Sequence, residues 1–356
     1  MQKKIIAILF IIIALYFGVP KLLGLILGQP NVSENQTVYS VNEQYKPRRI
    51  PLILNPEKPD QKQFGDLTYL WGYELELDHP DFGGLSSMTV FPRRHEVAPL
   101  VFKLLNDRGK NMTLTLTESG NSHDITISHF IPITPCYRGQ KVLDSEALAL
   151  FKKQDGSVIP FVSFERDHCV TRNGQTMALP QEFKDMAFNG GIEAMTIHPD
   201  GRLVMLSEEP LEDAKHHSLW ISKLTANAIV KSSDYERLLY QAPEGFSPTD
   251  MAALNDGSLL IIHRRWRPTE GTNIIVSHLK AGYANSETRS AVQKPDMIAH
   301  FTPDMSVDNM EGLTATEHAD GSVTLYMISD DNFNRNVQKN LMLAFRWMPP
   351  KVTTEK

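Results

Sequence analysis

Gly191-Ile-Glu-Ala-Met-Thr-Ile-His198 is followed by a turn at Pro199-Asp-Gly201 and by a second apolar strand, Arg202-Leu-Val-Met-Leu-Ser207. Asp-Gly between two apolar runs is a strong hairpin signal, because both central residues of a type I′ turn require positive φ. The same dipeptide separates apolar runs at three more places, Asp155-Gly156, Asp256-Gly257 and Asp320-Gly321. The sequence therefore predicts a hairpin that recurs along the chain.

Each recurrence begins with a similar short phrase, and in four of the five phrases an acidic residue opens the apolar strand. The phrases are Gly83-Gly-Leu-Ser-Ser-Met88, Ser145-Glu-Ala-Leu148, Ile192-Glu-Ala-Met195, Thr249-Asp-Met-Ala252 and Met310-Glu-Gly-Leu313. A second apolar strand follows each phrase and ends in a charged or polar cluster. These clusters are Asn106-Asp-Arg-Gly109, Phe164-Glu-Arg166, Ser207-Glu-Glu209, His263-Arg-Arg265 and Ser329-Asp-Asp-Asn332.

Repeats of this length indicate one supersecondary unit used several times, as in a propeller or a solenoid. Each interval between equivalent positions has room for about four short strands. The equivalent positions are Leu85, Glu146, Glu193, Asp250 and Glu311. The fifth unit is short, and Leu67 to Leu77, upstream of the first unit, can supply its missing strand, which would leave only short protected edges. We predict an all-β propeller of five four-stranded blades, with six blades as the alternative.

The first 28 residues differ in composition from the rest of the chain. Lys3 and Lys4 precede an apolar run from Ile5 to Val19, which resumes at Leu22 to Leu27. About 20 apolar residues span a bilayer, and the two lysines would stay on the cytoplasmic side. No small-residue cleavage site is present, so an uncleaved signal anchor is favoured over a signal peptide. Both alternatives export the body of the protein.

The rest of the chain divides into three parts. Residues 29–62 contain five prolines among polar residues, which predicts an extended linker. The propeller is expected to occupy residues 63–350, and residues 351–356 form a polar tail.

We expect a monomer that is anchored to the membrane by its N-terminal helix, with the body in the periplasm or outside the cell. Cleavage of the helix would make the protein secreted.

The net charge limits the classes of binding partner, and the two cysteines bear on the redox environment of the protein. The chain has 356 residues with a formal net charge of -6, which does not favour binding to nucleic acid or to an anionic membrane surface. Cys136 and Cys169 lie in the exported part, where a disulfide is favoured. The alternatives are two buried thiols, or a zinc site with His168 that no CxxC or HxxxH spacing supports.

The propeller prediction places a candidate site. The first strand of each blade lines the channel and the second strand is antiparallel to it, so the start of one and the end of the other share a face. This face would gather the acidic residues Glu146, Glu193, Asp250, Glu311, Asp107, Glu165, Glu208, Asp330 and Asp331. So many carboxylates repel one another unless cations or protons neutralise some of them, and an oxygen-rich cluster is typical of calcium.

Basic and amide side chains are interleaved with these acids. They are Arg108, Arg166, Arg264, Arg265, Asn332 and Asn334. Arginine forks beside a metal ion are suited to hold a phosphate or a carboxylate. The acids also have an architectural interpretation, because an acidic residue at a strand start can cap a loop by accepting backbone N–H bonds. Both interpretations stay open for each single residue.

Eight segments together resemble the phytase-like family that is described as having "esterase-like activity of phytase". They are Phe82-Gly-Gly-Leu-Ser86, Asn106-Asp-Arg-Gly109, Ser145-Glu-Ala-Leu148, Val162-Ser-Phe-Glu-Arg166, Gly191-Ile-Glu-Ala194, Asp308-Asn-Met-Glu-Gly-Leu313, Ser329-Asp-Asp-Asn-Phe-Asn334 and Leu343-Ala-Phe-Arg346. The resemblance runs in order from about Phe64 to Trp347. It implies an exported β-propeller, often membrane-anchored in bacteria, with a phosphoester or ester hydrolase activity.

The chain departs from the family pattern in two blades. The first blade has Asn106 where the family usually has Ser. The fourth unit has Asp250 in place of Glu, and His263-Arg264 where other units end in an acid. These differences weaken the case for a symmetric metal site and indicate one basic side.

The leading hypothesis is an extracytoplasmic hydrolase of a small phosphoester or related ester, assisted by calcium. Glu146, Glu193 and Glu311, with Asp330 or Asp331, would hold the ion. The substrate would be oriented by Arg108, Arg166 and Arg264. A carboxylate outside the metal set, Glu165 or Glu208, would accept the proton of the attacking water. The alternative is a non-catalytic propeller that binds a ligand or a cell-envelope partner.

Other chemistry has little support in the sequence. No G-x-S-x-G segment is present to place a serine nucleophile on a strand-to-helix turn. No P-loop, G-x-G-x-x-G segment or H-E-x-x-H zinc helix is present either. His216 and His217 lie in a polar stretch and are predicted to be exposed loop residues.

Overall fold

The computed structural model describes residues 43–350 apart from 92–94, 96, 97, 121, 138, 140–142, 212, 213, 284 and 286–290. The predicted N-terminal helix at residues 1–28 and the tail at 351–356 lie outside the described residues. Within the described part, no helix has the length and apolar character that crossing a membrane requires.

The described residues form 23 strands and three short 3-10 helices. The N-terminal strands are β1 (Gln44–Tyr45), β2 (Arg48–Pro51), β3 (Gln63–Phe64) and β4 (Leu67–Glu76). Blade 1 contains β5 (Leu85–Val90), β6 (Leu100–Asn106), β7 (Lys110–Ser119) and β8 (Ser122–Pro132). Blade 2 contains β9 (Ser145–Lys152), β10 (Val158–Phe164), β11 (Cys169–Arg172) and β12 (Gln175–Thr176).

Blade 3 contains β13 (Ile192–Ile197), β14 (Arg202–Ser207), β15 (His217–Thr225) and β16 (Tyr235–Tyr240). Blade 4 contains β17 (Ser247–Ala253), β18 (Leu259–Arg267), β19 (Gly271–Leu279) and β20 (Asp296–Phe301). The last strands of the chain are β21 (Met310–Glu317), β22 (Val323–Ser329) and β23 (Leu341–Trp347). The 3-10 helices are Gln181–Asp185, Ala226–Ala228 and Ser232–Asp234.

The five sheets form a closed ring of antiparallel blades. The innermost strands are β5, β9, β13, β17 and β21, and each packs beside the innermost strand of the next blade. The ring closes where β21 packs beside β5. Second strands such as β14 and β22 are almost entirely buried, because neighbouring blades cover both faces of each sheet. Their sequences are accordingly continuous apolar runs.

The fifth blade combines both ends of the chain. Its strand order is β21-β22-β23-β4, and β4 pairs with β23 from Glu74 opposite Leu341 to Leu67 opposite Trp347. Burial of Leu67 and Tyr69 against Phe345 favours this pairing. The predicted all-β propeller of five four-stranded blades, closed by the strand at Leu67 to Leu77, is confirmed, and the six-blade alternative is excluded.

Residues 44–51 form a strap across the seam between the first and last blades. Strand β1 pairs with β8 at the outer edge of blade 1, and β2 pairs with β4 at the outer edge of blade 5. Both strands lie in the segment predicted as a linker at 29–62, so the folded body begins before residue 63. Pro51 is tolerated in β2 because an edge strand needs no further N–H donors on its outer side, and Pro47 lies between the two strands.

The two cysteines form the disulfide that the sequence favoured. Cys136 lies between blades 1 and 2, and Cys169 begins β11, with the two Cα atoms 6.6 Å apart. The bond closes a loop with a sequence separation of 33 residues. It ties the connection between two blades to the outer part of blade 2.

We expect the Cys136→Ser, Cys169→Ser double variant to lose about 2–4 kcal/mol of unfolding free energy, because the open chain regains the entropy of a loop of this length. Urea denaturation of the variant and of the oxidised protein measures the difference. An unchanged denaturation midpoint would show that the disulfide adds nothing to the stability of the propeller.

His217 is buried at the start of β15, so its prediction as an exposed loop residue was wrong. Its Nδ1 lies 3.2 Å from the carbonyl oxygen of Ser207. Burial lowers the pKa of His217 to about 4. In the neighbouring blade, the ring of His263 is hydrogen-bonded to the Tyr240 hydroxyl at 2.7 Å, and burial lowers the pKa of His263 to about 3.

Because these histidines are buried in the neutral form, we predict that the unfolding free energy falls as the pH falls. Unfolded His263 takes up a proton below its ordinary pKa of 6.5, whereas folded His263 stays neutral until about pH 3. Unfolding therefore consumes a proton in this range, and stability falls as the pH falls. We expect His263→Gln to reduce the slope of unfolding free energy against pH by about 1 kcal/mol per pH unit between pH 6 and 5. Denaturation series at several pH values test this, and parallel slopes would contradict it.

Candidate active site at one mouth of the channel

A β-bulge opens every innermost strand and sets the direction of the side chains at one mouth of the channel. In blade 3, Ile192 pairs with Ser207 and Ala194 with Leu206, so Glu193 is an extra residue relative to β14. Extra residues of this kind re-aim a side chain. The equivalent residues are Ser86, Thr249 and Glu311, while Glu146 and Ala147 together oppose Ser163. We call this end of the channel the acidic mouth.

The bulge in blade 4 corrects the predicted equivalence of Asp250 with the three glutamates. Thr249 occupies the bulge position, and Asp250 lies one residue further along β17, inside the channel. The Asp250 carboxylate accepts the Leu313 N–H at 2.7 Å and the Ser87 hydroxyl at 3.4 Å. Burial raises the pKa of Asp250 well above its ordinary value. This carboxylate links blades 4, 5 and 1.

Five carboxylates from blades 2 and 3 converge at the acidic mouth. They form two groups of three, within each of which one oxygen per residue lies within 4.8 Å of the others. The groups are Asp144, Glu146 and Glu165, and Glu165, Glu193 and Glu208. We call them the two carboxylate triads, and Glu165 belongs to both. Arg166 lies beside the first triad, with its Nε 2.7 Å from Asp144 Oδ2.

Arg264 connects the second triad to blade 5. Its guanidinium pairs with Glu311 at 2.7 Å and with Glu208 at 3.2 Å, and it also donates to Asn309. Burial by itself would lower the pKa of Arg264, but four carboxylates outweigh it and raise that pKa above its ordinary value. These carboxylates are Glu311, Glu193, Glu208 and Asp330. Arg264 is therefore the central cation of the mouth.

Asp330 and Asp331 have different surroundings although they are adjacent. Asp330 is buried and accepts from the Asn309 side chain at 3.3 Å and from the Asn332 N–H at 2.6 Å. Burial, followed by the charges of Glu311 and Asp107, raises the pKa of Asp330 well above its ordinary value. It is therefore a buried carboxyl group that favours the protonated form.

Asp331 ties the last blade to the first. Its carboxylate accepts the N–H of Gly84 at 2.8 Å and of Phe333 at 3.0 Å, and the side-chain amide of Asn340 at 2.8 Å. Gly84 has φ of 60°, and a Cβ there would collide with the Phe333 ring and the Asp107 carboxylate. The glycine thus permits the close approach of these two loops.

Arginines around the acidic mouth stack on phenylalanines. Arg108 lies 3.4 Å from the ring centre of Phe333, and Arg166 lies 5.9 Å from that of Phe188. The Phe188 side chain is 66% exposed. Stacking of this kind holds a guanidinium in place while its N–H edges stay available. The rim of the mouth is therefore basic and aromatic, although its centre is acidic.

The structure brings together most of the predicted site residues, but in two halves. Glu146, Glu165, Glu193 and Glu208 lie in the triads, while Glu311, Asp330 and Arg264 form the network on the other side. Asp331 lies at the seam, outside both triads, and Arg108 and Arg166 lie toward the rim.

Sequence analysis missed Asp144 and Asn309 as members of the site. Asp144 stands directly before the phrase Ser145-Glu-Ala-Leu148, and its left-handed φ of 39° is uncommon for a residue other than glycine. Asn309 lies inside a quoted segment, two residues before Glu311, to which its side chain donates at 2.8 Å. The available signal was that each of the two stands directly before a phrase, Asp144 before Ser145 and Asn309 before Met310.

Comparison with known proteins gives one family match and several similar structures. The model of the family described as "Phytase-like: Esterase-like activity of phytase" matches residues 80–333. An endo-arabinase from Bacteroides thetaiotaomicron VPI-5482 is 11% identical over 76% of this chain and 96% of that chain, with a TM-score of 0.46. An alpha-L-arabinofuranosidase from Lactobacillus brevis is 11% identical over 75% and 92%, with a TM-score of 0.44. No curated protein matches the sequence.

We expect Arg264→Met to lower the unfolding free energy by about 3–5 kcal/mol at pH 7, because it leaves buried carboxylates without their cation. Acidification removes negative charge from the unpaired cluster, so the loss should be smaller at pH 5 than at pH 7. Urea denaturation in the presence of a chelator measures both values.

Arg265→Met is the matched control, because Arg265 pairs with Glu270, whose side chain is 41% exposed. It should cost less than about 1 kcal/mol. Equal losses in the two variants, or a loss in Arg264→Met that does not depend on pH, would contradict the central role of Arg264.

Proposed function

The chain belongs to the phytase-like family, and we propose that it hydrolyses a phosphoester or a related ester at the acidic mouth of its channel. The observation that carries this proposal is the position of Glu165, which is shared by the two buried carboxylate triads. Arg166 follows it in the chain and reaches toward the rim. A carboxylate cluster with arginines beside it can bind an anionic substrate and activate water at one point.

The two carboxylate triads suit a hard divalent cation, and calcium is the proposed ion. Calcium takes 6–8 oxygen ligands, and the donor set of each triad consists of carboxylate oxygens without nitrogen or sulfur. Burial of Glu146, Glu165 and Glu193 also favours neutralisation by a cation, since like charges repel strongly at short distance. When bound, the ion would polarise a phosphoryl or carbonyl oxygen of the substrate.

The arginines divide into two roles. Arg264 already donates hydrogen bonds to Asn309, Glu311 and Glu208. Its role is therefore to hold Glu311 and Glu208 in position. Arg108 and Arg166 lie nearer the rim, stacked on phenylalanine rings, and orient the anionic group of the substrate.

Glu165 is the proposed general base and stays outside the metal set. Calcium would then be held by the other triad members, Asp144, Glu146, Glu193 and Glu208. Arg264 pairs with one oxygen of Glu208, which leaves Glu165 as the better placed of the two predicted proton acceptors. In this role Glu165 accepts the proton of the attacking water while the rim arginines hold the substrate.

The body of the protein is proposed to act outside the cytoplasm, held to the membrane by the predicted N-terminal helix. The Cys136–Cys169 disulfide supports an oxidising environment. The proposed substrate is therefore a small phosphorylated or esterified molecule that is present outside the cytoplasm.

The second candidate function is a non-catalytic binding protein of the cell envelope. It is favoured by the architectural use of two acids, because Asp331 and Asp250 accept backbone N–H groups of neighbouring blades. The two candidate functions differ in whether a molecule bound at the triads is hydrolysed or only bound.

The test is hydrolysis of p-nitrophenyl phosphate, p-nitrophenyl acetate and phytate by the purified protein, with calcium and then with a chelator. We expect calcium-dependent turnover of a phosphate substrate. Glu165→Gln should lower kcat by roughly 100-fold or more with an unchanged Tm, because the general base is lost.

Glu317→Gln is the matched control, because Glu317 ends β21 at the other end of the channel and is exposed. It should retain the activity. Acetate turnover alone would replace the phosphoester assignment by an esterase. The absence of turnover on all three substrates, with a Tm that calcium still raises, would favour the binding protein.

A further inference from the structure

The other half of the channel contains a cavity of about 250 Å³. It lies beyond Asp250, toward the ends of the innermost strands, and we call it the far cavity. All five innermost strands contribute to its walls. The lining residues include Ala149, Lys152, Thr196, Ala253, Thr314 and Ala315.

Small side chains create the far cavity. Three innermost strands place alanines at the channel wall, namely Ala149 in β9, Ala252 and Ala253 in β17, and Ala315 in β21. An engineered cavity of about 150 Å³ is enough to bind benzene in another protein. The far cavity therefore has room for a small organic molecule.

Threonine hydroxyls in the cavity wall accept two backbone N–H groups. Thr314 accepts the N–H of Val90 at 3.1 Å, and Thr196 accepts the N–H of Ala253 at 3.3 Å. Each hydroxyl keeps its own proton, which it can donate to a molecule in the cavity. The cavity thus combines apolar surface with a few hydroxyl donors, as small-molecule sites do.

Lys152 gives the far cavity its charge. Among the described residues that line the cavity, Lys152 is the one that carries a charge, and its side chain is exposed at the end of β9. Among the described residues, no carboxylate forms an ion pair with it. A cation beside a partly apolar cavity favours a ligand that carries one negative charge.

The far cavity is separate from the acidic mouth. Asp250 and Ser87 lie between them and are hydrogen-bonded to one another at 3.4 Å. Without a bound cation, the carboxylates of the acidic mouth would repel a carboxylate ligand, whereas Lys152 would attract it to the far cavity.

We propose that the far cavity binds a small organic monoanion. The body of the ligand fills the space between the alanines, and its negative group pairs with Lys152. This site is independent of the proposed hydrolysis, because it shares no lining residue with the carboxylate triads.

Methionine methyl NMR of the full-length protein in a zwitterionic detergent tests the proposal, with benzoate as the probe. Three of the 14 methionines line the cavity, namely Met88, Met195 and Met251. The ring current of bound benzoate should shift the methyl signals of these three. Met327 and Met342, which are buried outside the cavity, should keep their positions.

Matched variants test the role of the charge. Lys152→Gln should weaken benzoate binding about fivefold, the effect of one exposed ion pair, and Lys153→Gln should not. Neutral benzamide should bind more weakly than benzoate and respond equally to both variants. Ala315→Phe should abolish the shifts by filling the cavity, while its remaining methyl spectrum shows whether it is folded.

Three results would overturn the proposal. The first is the absence of shifts at Met88, Met195 and Met251 at millimolar benzoate. The second is equal benzoate affinity in Lys152→Gln and the unmodified protein. The third is benzoate binding that survives in folded Ala315→Phe, because the ligand would then occupy another place. None of these results depends on whether the protein is a hydrolase.

Discussion

The innermost strand of each blade has one edge that faces the channel, and the peptide N–H groups on this edge must find acceptors because a further strand cannot fit there. Side chains of neighbouring innermost strands supply them. The donor and acceptor pairs are Leu148 N–H to Ser87, Leu313 N–H to Asp250, Val90 N–H to Thr314 and Ala253 N–H to Thr196. Each pair joins one blade to its neighbour in the ring. Polar residues are therefore required in the channel wall before any site is considered, and Asp250 belongs to this requirement.

The same bonds divide the channel into two regions of different chemistry. Asp250 and Ser87 occupy the middle, with carboxylates and arginines on one side and alanines, threonines and Lys152 on the other. The acidic side depends on balanced charge. Arg264 and Arg166 each pair with buried acids, and Asp330 is held toward its protonated form. A cluster that concentrates so much charge away from water is costly for stability, and such costs are typical of functional sites.

Backbone geometry around the acidic mouth also departs from regular strands. Every innermost strand begins with a β-bulge, and Asp144, Asn332 and Phe333 have positive φ values of 39°, 47° and 51°. These residues lie in the loops that bring the blades together. Their conformations are held by bonds such as that from the Phe333 N–H to Asp331. The acidic mouth thus consists of loops and bulges at the ends of regular strands. Propellers of one architecture can differ in function at such loops.

The sequence by itself determined the all-β propeller, the closing strand Leu67 to Leu77 and most acids of the mouth, and it favoured five blades over six and a disulfide over two free thiols. These features follow from local signals: Asp-Gly turns, apolar runs of strand length and residues that recur at equivalent places. Only the tertiary structure decided that Thr249, rather than Asp250, is the bulge residue of blade 4, because a bulge is defined by the pairing of β17 with β18 and not by the residues of β17 alone. It also decided that Asp144 and Asn309 join the site, that His217 is buried and that a cavity lies at the other end of the channel. These features depend on how strands pair within a blade and how blades pack together, and residues far apart in the chain determine both.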